Sequence, residues 1–230
     1  MNVLVIDVGG SSVKILATGQ KTVRKMASGR KFTASQMMAG VRVLARGWKY
    51  DVIALGLPSA VAHNQPIAEP PNLGNGWVDF DYAAAFGRPV RIINDAAMQA
   101  LGAYKGGRML FLGFGTGLGT TLIADGVIIA MELAHLPYKK ATFEDYVGDA
   151  ALKRDGKQKW RENVADVIVR LTAALLPDDI VLGGGNARHI KHLPPLGRRG
   201  DNADAFTGGF RLWDHRGLKH DKPRVRTARR

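Results

Sequence analysis

Residues 1–18 read MNVLVIDVGGSSVKILAT: an apolar run from Val3 to Val8 that carries one carboxylate, Asp7, then Gly9-Gly10-Ser11-Ser12, then a second apolar run from Val13 to Thr18. Two short runs rich in Val and Ile, separated by glycines and hydroxyl residues, read as two strands returning on one another through a glycine-rich tip. Glycine removes the side chain and tolerates φ > 0, so backbone N–H groups of such a tip can come close to phosphate oxygens. Asp7 offers a carboxylate for a hydrated Mg²⁺ and Lys14 a cation near the phosphates. Taken alone, the tip reads equally well as a tight turn.

The pattern returns about 105 residues later. Residues 109–114 (MLFLGF) form a strand, Gly115-Thr116-Gly117-Leu118-Gly119-Thr120 a glycine-rich turn, and 121–130 two short strands around Asp125-Gly126. A repeated strand, glycine turn and strand predicts two related lobes, and two such tips can clamp one phosphate chain. Neither tip is a Walker loop, because GxxxxGK[ST] is absent, and the second does not open a helix as a dinucleotide fingerprint does.

Between the tips, a third short strand is expected near 21–26. A helix follows at 34–48 with Met37, Met38, Val41, Val43 and Leu44 as its apolar positions, and then a buried strand at 51–57. Pro58 to Asp81 is rich in Pro, Gly and Asn and too long for a plain connector, which marks a candidate substrate loop. Val90 to Ile93 is a strand stopped by Asn94-Asp95, and a small-residue helix covers 96–104, capped by Asn94 or Asp95. At that point Asp95 has two readings, a helix cap or a carboxylate entering a cleft as a general base. A helix at 157–176, a buried strand at 179–182, Gly183-Gly184-Gly185-Asn186, and a helix at 202–214, apolar at Ala203, Ala205, Phe206, Phe210, Leu212 and Trp213, complete the chain.

The 230 residues suffice for a real core, and no apolar run approaches the ~18 to 20 residues needed to span a bilayer. The N-terminus lacks the basic lead-in and cleavage site of a signal peptide, and there is no cysteine, so the expected compartment is the cytoplasm, without a membrane partner. The net charge of +13 is uneven: residues 186–230 carry 12 Lys/Arg against 4 Asp/Glu, and residues 1–185 carry 21 against 16. A basic field attracts polyanions. Nucleic acid lacks support beyond this charge, because no RNP-type aromatic motif, zinc finger or recognition helix is legible. Glu132 and His135, in MELAHLPY, could hydrogen-bond a polyol or form an ordinary surface pair. His63, His189, His192, His215 and His220 show no metal spacing.

Taken in order, these residues resemble the ROK family of bacterial sugar kinases, within the superfamily of acetate kinase, sugar kinases, heat-shock proteins and actin. Four blocks carry the resemblance: Ile6 to Lys14, Gly56-Leu57-Pro58 through Asn72 to Trp77, Asn94-Asp95-Ala96, and Gly113 to Thr121. A fifth, Val181 to Gly185, is similar to the family's segment against the nucleotide base and ribose. The resemblance implies an α/β, two-lobed actin-like ATPase (ribonuclease H-like) fold with a central cleft. Residues 1–93 and about 203–216 would form one lobe and 94–202 the other, with a basic tail at 217–230. It further implies a phosphotransferase acting on the 6-hydroxyl of a hexose such as glucose, with Mg²⁺ and with ATP or polyphosphate as donor, and suggests a homodimer.

Carried over residue by residue, Asp95 is the general base. Asp7, Gly9, Gly10, Ser11, Ser12, Lys14, Gly115, Thr116, Gly117, Gly119 and Thr120 would hold phosphates, and Gly183, Gly184, Gly185 and Asn186 a nucleotide. Pro58, Asn72, Asn75, Asn94, Asp95, Glu132, His135 and Glu144 would hold the sugar, and Asp7 and Asp95 the Mg²⁺, partly through water. Two departures stand out. Ala134 replaces the family's usual Gly, and Tyr138 to Gly148 replaces the cysteine-rich zinc segment, so a structural zinc is not expected. Gly9 to Lys14 is closer to the GGSxxK form of the polyphosphate-using branch than to the GGT form of ATP-dependent members. The same family includes sugar-sensing repressors, so a non-catalytic regulatory protein is the rival reading.

Overall fold

The computed structural model describes residues 1–201 and 203–214; the predicted tail at 217–230, together with His215 and His220, lies outside them. Strands β1 (Val3–Val8), β2 (Ser12–Ala17) and β3 (Arg24–Ala27) form an antiparallel meander, followed by α1 (Ala34–Leu44) and β4 (Val52–Leu57). The long Pro58–Asp81 segment holds a small ladder of β5 (Val61–Ala62) and β6 (Gln65–Pro66), and α2 (Tyr82–Phe86) leads to β7 (Val90–Asn94). After α3 (Asp95–Ala103) come β8 (Arg108–Phe114), β9 (Leu118–Ala124) and β10 (Val127–Met131). A ladder of β11 (Pro137–Tyr138) and β12 (Ala141–Thr142) precedes α4 (Phe143–Val147) and α5 (Asp149–Leu175), and β13 (Asp179–Gly183), β14 (Gly197–Arg199) and α6 (Asp204–Arg211) close the fold.

The repeat seen in the sequence is a repeat of whole sheets. One has the order β3-β2-β1-β4-β7 and the other β10-β9-β8-β13-β14, each combining an antiparallel meander with two further parallel strands. Alternate residues of the central strands feed different cores, as the two-residue period of a strand requires. Leu4, Ile6 and Val8 pack with Met37, Trp77 and Tyr82 on one face of the first sheet. Leu110 and Leu112 pack with Phe143, Trp160 and Ile168 on one face of the second. Val3, Val5, Met109, Phe111 and Val181 point into a third core, shared with α3 and α6.

That shared core depends on small residues. A Cβ on Gly102 of α3 would strike the backbone of Asp204, and one on Gly208 of α6 would strike the backbone carbonyl of Met98. The two helices therefore meet at backbone distance, and α3 is held between the sheets with Asp95 at its first turn.

Several expected boundaries shift. Helix α1 ends at Leu44, and Val43, taken as an apolar core position, is 62% exposed, because it falls off the face defined by Ala34, Met37 and Val41. Leu118 to Thr120 lie in β9 rather than in the turn, which shrinks to Gly115–Gly117. The helix expected from 157 begins at Asp149 and is broken at Gly156, whose φ of 76° and ψ of 166° are non-helical. Ala203 is exposed at the start of the last helix, which spans Asp204–Arg211.

Candidate active site

Both glycine tips fold back on themselves, the first across three residues and the second across two. Gly9 N–H donates to the Ser12 carbonyl at 3.0 Å, and Gly115 N–H to the Gly117 carbonyl at 3.0 Å. The next two N–H groups in each tip, those of Gly10 and Ser11 and of Thr116 and Gly117, have no acceptor among the described residues. None of these glycines has positive φ. Their value lies in close approach: a Cβ on Gly10 would press on Asn72 Cβ at 3.2 Å, and one on Gly117 would collide with the Glu144 carboxylate.

A cavity of about 400 Å³ lies between the tips. It is lined by Asp7, Ser11 and Lys14 from the first hairpin, Gly115 and Thr116 from the second, and Gly184, Gly185 and Asn186 after β13. The second tip is braced from behind. Asn186 Nδ2 donates to the Gly115 carbonyl at 3.2 Å, and Asp149 N–H donates to the carbonyls of Gly115 and Thr116. Glu144 accepts from Leu118 N–H at 3.2 Å, so its carboxylate sits against this tip. Gly184 has φ of 79° and no room for a Cβ against Phe114, a position that only glycine fills without strain. Gly183 faces the ring of Phe111, Gly119 packs on Ala96, and the Thr120 hydroxyl is buried, donating to the Met131 carbonyl and accepting from Leu133 N–H. These three predicted phosphate or nucleotide residues thus support the walls, and none lines the cavity.

The two readings of Asp95 separate here. Asn94 is the cap of α3, its Oδ1 accepting from Ala97 N–H at 3.1 Å, while its Nδ2 donates to the Ser59 carbonyl at 3.1 Å. Asp95 occupies the following position, and its carboxylate accepts from Ala96 N–H at 2.8 Å and from its own backbone N–H. Burial foremost, then the negative charge of Asp7 and more weakly that of Glu132, push its carboxyl up to about 7, against the pull of the backbone N–H groups. Asp7 is itself raised by burial, partly offset by Lys14, whose Nζ lies 3.6 Å away.

Among the described residues no group of three or more His, Asp or Glu side chains forms a metal cage. A pair of carboxylates strained by burial nevertheless suits Mg²⁺, which takes one or two carboxylates and completes its shell with water and phosphate oxygens. Asp7 and Asp95 fit that donor set.

Of the predicted sugar residues, Pro58 adjoins Ser59, which is tied to Asn94, and Asn72 meets the first tip at Gly10. Glu69 holds the loop by accepting from the N–H groups of Gly76 and Trp77. Glu132 is electrostatically coupled to Asp95 and stands 4.0 Å from His135; both are exposed, as is Asn75. The segment Tyr138 to Gly148 is fastened without cysteine: Tyr138 Oη donates to Asp166 and Lys139 Nζ to Asn163 Oδ1. Gln99, Asp149 and Ala205 line the cavity but were not singled out from sequence as site residues, Ala205 being read only as an apolar helix position. Gln99 follows Asp95 by one helical turn, the spacing that puts two side chains on one face, and that was the available signal.

No protein-family model matches the chain. A curated relative, the polyphosphate glucokinase of Mycobacterium tuberculosis (strain H37Rv), is 27% identical over 214 residues, covering 83% of this chain and 80% of that protein. The chain is thus similar in sequence to a polyphosphate glucokinase. Among solved structures, the inorganic polyphosphate/ATP-glucomannokinase from Arthrobacter sp. strain KM has a TM-score of 0.78 at 21% identity, covering 90% of this chain and 96% of that one. A ROK family glucokinase from Streptomyces griseus, in complex with glucose and AMPPNP, has a TM-score of 0.73 at 14% identity, covering 92% and 99%. The chain shares the fold of these two kinases, the actin-like two-lobed α/β fold that the motif blocks implied.

Proposed function

We propose that this protein is a hexose kinase that moves a phosphoryl group from ATP or inorganic polyphosphate to the 6-hydroxyl of glucose or a close relative. The observation that carries the reading is Asp95: a carboxyl lifted to about 7, coupled to Asp7 on the wall of a cavity lined by two tips with free N–H groups. A general base works best with a pKa near the operating pH. The homologues named polyphosphate glucokinase support the same assignment.

Asp95 accepts the proton of the sugar 6-hydroxyl as its oxygen bonds to the terminal phosphorus and the bridging P–O bond of the donor breaks, leaving the shortened donor. The free N–H groups of Gly10, Ser11, Thr116 and Gly117, with Lys14, hold the donor and stabilise charge on the transferring group. Asn94, with Pro58, Asn72, Asn75, Glu132, His135 and Glu144, forms the sugar side. Asp7 and Asp95 would hold Mg²⁺, which would supply neutralisation of the phosphate charge. Lobes built from 1–93 with the helix from about 203, and from 94–202, close to exclude water, which would otherwise intercept the phosphoryl group.

A coupled sugar-6-phosphate assay tests this, with glucose, mannose, fructose and N-acetylated sugars each offered ATP and polyphosphate. Product with at least one pair, lost in Asp95→Asn, is expected. No product in any combination would instead favour a non-catalytic sugar sensor.

A further inference from the structure

The helical run α5 restarts after Gly156 at Lys157, and Arg161 follows one turn later on the same face. Neighbouring charges of this run are paired: Lys153 with Asp149 at 2.5 Å, Arg154 with Asp155 at 2.7 Å and Lys159 with Glu162 at 2.8 Å. Lys157 and Arg161 are in no ion pair among the described residues, and neither is Arg188. Arg161 and Arg188 bond His189, and Lys157 acts on it through space. Arg161 Nε donates to the His189 carbonyl at 2.5 Å, and Arg188 Nε to its ring nitrogen at 3.3 Å. Burial first, and then the positive charges of Arg188, Lys157 and Arg161, hold the His189 imidazole below its usual range.

Three cations gathered without a counter-charge repel one another, and the arrangement suits an anion brought from outside. Its position says which anion. Asn186 lines the phosphate cavity and immediately precedes the 3-10 turn Ala187–His189, so exposed Arg188 stands two residues from the cavity wall. A donor chain that left the cavity beside Asn186 would meet Arg188 of this rim first. A nucleoside triphosphate presents its base and ribose at the end away from the transferred group, and these carry no charge for three cations to hold. An inorganic polyphosphate chain presents more phosphate.

We propose that Lys157, Arg161 and Arg188 form a rim subsite that holds the distal phosphates of a long inorganic polyphosphate donor whose terminal phosphate lies in the cavity. The proposal rests on the kinase reading above for the role of the cavity, and it adds chain length as the property selected.

The test compares the wild-type chain with Lys157→Gln/Arg188→Gln, two exposed positions outside the cavity, using long-chain polyphosphate, tripolyphosphate and ATP as donors. Expected is a lower KM for the long chain than for tripolyphosphate in the wild type. The variant should lose that advantage, with about a tenfold rise in long-chain KM, unchanged kcat and unchanged KM for ATP and tripolyphosphate. The slope of log KM against log salt should fall by roughly one to two, as expected when two phosphate contacts are removed. No chain-length preference in the wild type, or an equal rise in KM for all three donors, overturns the proposal. Turnover with ATP but with no polyphosphate leaves the kinase reading standing and removes this one. If no donor supports turnover, direct titration with long-chain polyphosphate decides: binding lost in the variant upholds the rim while the kinase reading falls. Single-stranded RNA of matched charge that competes with equal affinity overturns the choice of polyanion.

Discussion

The negative charge of Asp7 raises the pKa of Asp95, second only to burial among the causes that lift it to about 7. One comes from the end of a strand in the first sheet and the other from the first turn of the helix held between the sheets, so the coupling exists only in the folded chain. It places a carboxyl near half-ionisation at neutral pH.

Replacing Asp95 by Asn is expected to reduce turnover by several orders of magnitude while hexose binding persists. In the wild type, kcat should rise with pH through about 7, because the base acts only when ionised. Steady-state kinetics between acid and mildly alkaline pH, with sugar binding followed by calorimetry, check both parts. Near-normal turnover in the variant would remove Asp95 from its role.

The same residue should cost stability. Its folded pKa is raised from 3.8 to about 7, so the folded state keeps a proton that the unfolded chain has lost. The contribution is fully present below the unfolded value and is lost as pH rises through the folded one. Asp95→Asn should therefore be more stable than wild type at pH ~8, on the order of 1–4 kcal/mol, with the difference shrinking toward pH ~4. Denaturant unfolding at the two pH values measures it, and an equal difference at both would refute the linkage.

Gly208→Ala is expected to destabilise the fold by about 1–3 kcal/mol or more, since the added methyl group meets the backbone carbonyl of Met98 and neither helix backbone can yield freely. Thermal unfolding reads this directly. Gly19→Ala is not a suitable control because of its positive φ, whereas Gly115→Ala has open space at the Cβ position and should leave stability within ~0.5 kcal/mol of wild type.

Thr120→Val should lose about 1–3 kcal/mol, because the Met131 carbonyl and the Leu133 N–H both lose their buried partner. Glu132 lies between those two residues, so the hexose KM should rise as well. Thr120→Ser is expected to restore both, and a hexose KM unmoved in the valine variant would detach Glu132 from the sugar.

Asn186→Ala removes the side-chain bond to the Gly115 carbonyl and loosens the second tip. The donor KM should rise several-fold with the hexose KM unchanged. Initial-rate measurements varying each substrate in turn separate the two.

The residues of Val3 to Lys14 and their echo at Met109 to Ala130 determined the hairpins, the tips and the doubled architecture, because strand pattern and turn chemistry are local properties. The candidates Asp7, Ser11, Lys14, Gly115 and Thr116 were legible for the same reason, Asn186 only through the family resemblance, and they line one cavity. Tertiary structure decided what depends on distant neighbours. It made Asn94 the cap and left Asp95 coupled to Asp7, turned Thr120, Gly119 and Gly183 into wall supports, and brought Gln99 and Asp149 to the cavity. It also brought Lys157 and Arg161 of α5 to the turn that carries Arg188 and His189. Side-chain direction, burial and electrostatic coupling across the chain are set by packing between elements, and no local spacing carries them.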